Sequence, residues 1–138
     1  MARLFIIVFL GTLLISIILR ITNYVLKRTK TSKADQLLKD GKLEEALNEY
    51  FGALKYSLGT KNASEIKDRI CEIYKKAGKT NEEISVIEQS YYDLSKFAFN
   101  INNRIRRHQI KETDPEFLAL CDEIGAKHSE FVQSMPEL

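Results

Sequence analysis

Apolar residues run almost unbroken from Leu4 to Leu26, at 17 of 23 positions, and the first charge after Arg3 is Arg20. A helix of that length at about 1.5 Å per residue covers roughly 34 Å, enough for a hydrocarbon core of about 30 Å. Leu4–Leu10 has no polar stripe, so the segment is apolar on every side, unlike a helix lying on a soluble core. Gly11, Thr12 and Ser16 are the small exceptions. Their spacing allows a weak small-residue packing face, common in such helices in any case. Arg20 lies close enough to the end for its stem to reach the headgroups. The pattern predicts a single transmembrane helix over 4–26. A cleaved signal peptide is the alternative, but Leu19–Leu26 has no pair of small residues at A-x-A spacing.

Beyond Lys33 the apolar residues fall at helical intervals, with no two-residue alternation long enough for a strand. Ala34, Leu37 and Leu38 line a short helix that stops at Asp40-Gly41. Leu43, Ala46, Leu47, Tyr50, Ala53 and Leu54 line a second, ending near Gly59. Ile66, Ile70, Ile73, Tyr74 and Ala77 line a third, closed by Gly78. Asn81 reads as the N-cap of a fourth, with Glu82 and Glu83 in its first turn. That helix carries a seam of Ile84, Ile87, Tyr91, Leu94, Ala98, Ile101 and Ile105, stepping alternately by three and four, flanked by Phe97 and Phe99. Asp114-Pro115-Glu116 signals the start of a fifth, lined by Phe117, Cys121, Ile124, His128, Phe131 and Met135. The short break between the two seams predicts an antiparallel hairpin of the last two helices over 81–135.

Charge divides the chain at the same place. Residues 1–33 hold six basic residues and no acid, whereas 34–138 hold 15 basic and 19 acidic, so the overall +2 averages +6 and −4. Lys27–Lys33 reads as a basic juxtamembrane linker. By the positive-inside rule, residues 1–3 are non-cytoplasmic and the domain at 34–138 is cytoplasmic. The composition excludes a collagen-like chain, a disulfide-stapled mini-protein and a strongly basic nucleic-acid binder. Cys71 and Cys121 both fall on apolar faces and read as buried thiols. His108 and His128 are too few and too scattered for a metal site or a base–nucleophile pair, and no glycine-rich phosphate loop is present. The expectation is a non-enzyme with no catalytic residue, no cofactor, no metal and no small-molecule substrate. Arg104, Arg106, Arg107, His108 and Lys111 form a basic cluster. It reads either as a solvated helix C-terminus or as a contact for headgroups or an acidic partner, together with Arg28 and Lys30.

Residues 34–54 read Ala34-x2-Leu37-x3-Gly41-x4-Ala46-x3-Tyr50-x2-Ala53-Leu54, which resembles a tetratricopeptide repeat; the repeat-closing proline is replaced by Leu58. A weaker copy follows, with Cys71, Tyr74 and Gly78 aligned to Ala34, Leu37 and Gly41. Glu83 then falls where Ala46 predicts an alanine, and one inserted residue would bring Ile84 into register. The repeat-like stretches are 34–59 and 63–94; the alternative is a generic α-hairpin bundle. The resemblance implies an all-α fold, one transmembrane helix followed by a repeat-like domain of about five helices, and a protein-binding role for its concave face. Asp35, Leu38, Lys39, Asp68, Glu72 and Lys75 are the candidate contacts there, a mixed or acidic set suited to a basic or amphipathic partner segment. Phe97, Ile101 and Ile105 are candidates on the long helix. An adaptor that recruits a protein partner to the membrane is one expectation. A subunit built permanently into a secretion, pilus or flagellar type complex at a bacterial inner membrane is the other.

Overall fold

The structure is a computed structural model that describes residues 2–138, and side chains at all of these except 23–30. It is all-helical among the described residues: α1 (Ala2–Lys39), α2 (Leu43–Ser57), α3 (Asn62–Lys76), α4 (Asn81–Arg107) and α5 (Pro115–Ser134). Each helix packs chiefly on the next in sequence, and α5 folds back far enough to touch α2.

The apolar N-terminus and the first helix of the folded part are one helix. No glycine or proline interrupts the chain between Thr12 and Lys39, and Lys, Arg and Thr continue a helix readily enough. The expected linker at 27–33 is therefore corrected to helix, and Lys33 reaches Glu49 of α2 at 3.2 Å. Ala2–Thr22 is long and apolar enough to cross a membrane, and every residue in it is exposed. Arg28, Lys30 and the expected end of the span at Leu26 lie outside the residues whose side chains are described.

Helix ends follow local chemistry. Gly41, Gly59 and Gly78 take positive φ just past α1, α2 and α3, where a side chain would be strained. α4 ends instead on Gln109 at φ 48°, with Ile110 N–H bonded to Ile105 O at 3.0 Å. Its start corrects the sequence expectation by one residue. Thr80 is the cap: its hydroxyl accepts from Glu83 N–H, and the Glu83 carboxylate accepts from Thr80 N–H at 2.8 Å. Asp114 stands at the N-cap of α5 with Pro115 behind it, but its carboxylate accepts from Lys111 N–H at 2.9 Å and so closes the preceding turn.

The main core joins α1, α2, α3 and the first half of α4. Ala34, Ala46 and Ala53 let backbones approach, while Tyr50, Tyr74, Leu54, Ile70 and Ile73 fill the space between them. The turn from α3 to α4 is one residue longer than the turn from α1 to α2. Ile84 consequently sits fourth in α4 as Ala46 sits fourth in α2, and both are buried. The α4 seam is buried from Ile84 to Ile101, with Ile105 half-buried. On α5 the expected face is buried at His128 and Phe131 and half-buried at Phe117, Ile124 and Met135; Cys121 is corrected to exposed, with Leu120 buried in its place, whereas Cys71 is buried as expected.

Candidate interaction surfaces

Two surfaces deserve weight, and the first is the polar face shared by α1, α2 and α3. Tyr50 is wholly buried and its hydroxyl donates to the Asp35 carboxylate. Burial, and then that carboxylate, push the phenol well above its ordinary value; Arg69 and Glu72 act on the same hydroxyl from α3. Arg69 and Glu72 pair at 3.1 Å, with Lys76 3.7 Å from the other Glu72 oxygen. The structure thus brings Asp35 and Glu72 to one side of the molecule and ties each to a neighbour. Asp68 holds Lys67 at 2.7 Å. Lys39 and Lys75 are exposed. Leu38, expected as a contact, is buried in the main core because its side of α1 faces α2, and it is corrected to a core residue.

The second surface is the outer side of α4. Tyr92 and Phe99, seven residues apart and so on one face, are 54% and 58% exposed. Phe97 is half-buried under Lys127, whose ammonium stands 5.4 Å from the ring. Ile101 is buried in the α4–α5 hairpin and is corrected from a partner contact to an internal one; Ile105 is only partly accessible. Arg104 pairs with Glu116 at 3.3 Å, which pins the end of α4 to the start of α5. Arg107 and Lys111 are exposed.

Two internal polar anchors emerge from the structure: Lys67, to which the sequence assigns no role, and His128, which stands on the expected apolar face of α5 but whose bond is not foreseen there. Lys67 is 9% exposed and lies over the rings of Tyr91 and Tyr92 at 6.0 and 5.8 Å; its bond to Asp68 raises its pKa despite burial. A lysine reads as solvated in sequence, and only the paired tyrosines one helix later hint otherwise. His128 donates from Nε2 to Phe51 O at 2.8 Å, and burial lowers its pKa. Together with the edge-to-face contact of Phe51 and Phe131, it locks α5 onto α2.

Among the described residues no group of three or more His, Cys, Asp or Glu is placed to hold a metal ion. Compared with protein-family models, curated proteins and solved structures, the chain finds no match.

Proposed function

We propose that the chain is a membrane-anchored, protein-binding adaptor whose folded part is a tetratricopeptide-like stack of helix pairs. The observation that carries this reading is the continuity of α1: an exposed apolar helix long enough to cross a bilayer runs without a break into the first packed helix. Alanines at close approaches, glycines at the stops and the shared fourth position of Ala46 and Ile84 support the repeat-like reading. By the charge flanking the span, the folded part is cytoplasmic, with the bacterial inner membrane as the setting. The polar face of Asp35, Lys39, Asp68, Glu72 and Lys75 suits a basic or amphipathic segment of a partner protein.

A second reading, a subunit built permanently into a larger membrane complex, draws on Tyr92 and Phe99, since monomers seldom leave two large aromatics exposed along one helix face. Affinity isolation of the full chain in mild detergent, compared with Tyr92→Ala/Phe99→Ala and Asp68→Lys/Lys75→Glu variants, tests both. An adaptor loses its partner with the charge variant, and a built-in subunit with the aromatic one. Recovery of nothing beyond what an α1-only control retains would sink the two readings together.

A further inference from the structure

The hairpin geometry fixes which end of the folded part lies nearest the apolar span. Lys33 on α1 is level with Glu49 on α2, where their side chains pair. From Glu49 to Ser57 is about 12 Å of helix and from Lys33 back to Thr22 about 16 Å, both in the same direction. The end of α2 and the turn that follows it thus lie within about 5 Å of the level at which the apolar segment ends. α4 returns to that same end. Asn102 Nδ2 stands 2.7 Å from where a Cβ on Gly59 would be, so the α2–α3 turn sits directly on α4 one turn before its terminus. The α4–α5 turn, with everything from Asn103 to Pro115, is therefore at the span end of the molecule. Tyr74, whose hydroxyl donates to Pro136 O at 2.8 Å, marks the opposite end, where α5 finishes.

The charges at this end are uneven. Arg104, Arg106, Arg107 and Lys111 are joined by Lys61 of the α2–α3 turn, all exposed, against Glu112, Asp114 and Glu116. Two of the three acids already have work: Glu116 binds Arg104 and Asp114 accepts from a backbone N–H. Near the end of α4, Asn100, Asn103, Arg104, Arg107 and His108 line an open cleft of about 350 Å³. Glu116 already holds Arg104, but Arg107 pairs with no carboxylate among the described residues and is free to meet a phosphate-bearing headgroup.

We propose that this end of the domain is a docking surface for anionic phospholipid headgroups, with Arg107 and Lys111 as its principal contacts and the cleft on α4 as its pocket. The proposal rests on the reading that α1 crosses a bilayer. It adds a consequence: the folded part is held against the membrane at two points, the foot of α1 and the tip of α4, instead of standing on one. Each basic side chain near an anionic surface adds to the attraction, so a handful suffices to favour the seated arrangement.

The test uses the full chain in nanodiscs of phosphatidylcholine alone or with a third phosphatidylglycerol, read by amide hydrogen exchange at residues 103–112. Exchange there should slow several-fold with phosphatidylglycerol. Arg107→Gln/Lys111→Gln should remove that slowing, while Lys42→Gln/Lys76→Gln at the far end should retain it. Equal exchange in the two bilayers overturns the proposal, as does slowing that survives the first variant or vanishes in the second. Slowing by inorganic phosphate in phosphatidylcholine discs would assign the cleft to a free anion and overturn the lipid assignment. A chain that does not enter the disc overturns the membrane reading itself, whereas one that enters without the lipid effect overturns this inference alone.

Discussion

The two halves of the folded part are built from similar helices but held by different means. From Ala34 to Leu94 the contacts are continuous: three alanines at 0% exposure bring helices close, and two tyrosines are buried whole. From Ala98 onward the α4–α5 hairpin has its own small set of buried side chains, Ala98, Ile101 and Leu120. It joins the rest through discrete anchors, Phe131 on Phe51, His128 on Phe51 O and Tyr74 on Pro136 O. Dense apolar burial makes one half a single cooperative block. A few directional contacts make the other a detachable cap, the pattern expected where stability varies along a structure.

The sharpest way to break this contrast is to cut into each core separately. Tyr50→Ala should cost about 4 kcal/mol, since it leaves a large cavity and an unpartnered Asp35, and amide exchange should rise throughout residues 34–94. Ile101→Ala should cost about 2 kcal/mol and raise exchange mainly in residues 98–131. Uniform loosening by both variants would show that the halves unfold together.

The seam between the halves is probed at the α2–α3 turn. Gly59→Ala meets both a positive φ of 81° and the Asn102 amide, and should lower stability by about 2 kcal/mol in denaturant titration. Adding Asn102→Ala should recover the steric part and leave about 1 kcal/mol of backbone strain. Full recovery would place the whole cost in the contact.

His128 links the cap to α2 in a pH-dependent way. Because burial lowers its pKa in the fold, the unfolded chain binds a proton first as pH falls. Its stabilisation is complete above the ordinary histidine value of about 6.5 and declines as pH drops below it. Lys55, the other charge acting on the ring, opposes protonation as well. His128→Gln should lower the unfolding free energy at pH 7.5 by about 1 kcal/mol in denaturant titration and flatten its decline between pH 7 and 5.5. The smallest expected effect is Gln109→Gly, which relieves a left-handed residue and should stabilise by about 0.5–1 kcal/mol without altering the cap's exchange pattern.

The dense half was also the more legible in sequence. The α4 seam is visible as a repeat of three and four because one neighbour, then another, lies along the same side of that helix. α5 packs on both α4 and α2, so its buried stripe runs through Leu120, His128 and Phe131 and leaves Cys121 outside. Spacing alone places His128 and Phe131 on the buried side, with Phe117, Ile124 and Met135 half-buried beside them, and puts Cys121 where Leu120 takes the inner position. The cap at Thr80 was present as Thr-x-x-Glu and was outweighed by the neighbouring Asn81. The linker reading followed charge, yet the local rules that stop a helix, a glycine or proline, are absent there. Of the candidate contacts, Asp35 and Glu72 share a side because both lie around the Tyr50 hydroxyl, Asp35 as its acceptor and Glu72 through its pair with Arg69. Leu38 and Ile101 could be recognised as internal only once their partner helices were placed.

The unbroken α1 also sets a phase. Each residue in an α-helix advances by about 100° and about 1.5 Å. Because Ala2–Lys39 is one helix, the direction in which the folded part faces about the axis of the apolar segment is set by residue count. One residue inserted at Ser32 would swing the whole domain by about 100°, and seven would nearly restore its heading while lifting it by roughly 10 Å. Under the membrane-anchored reading proposed above, the face shown to a partner then depends on the length of this helix as much as on the residues displayed on it.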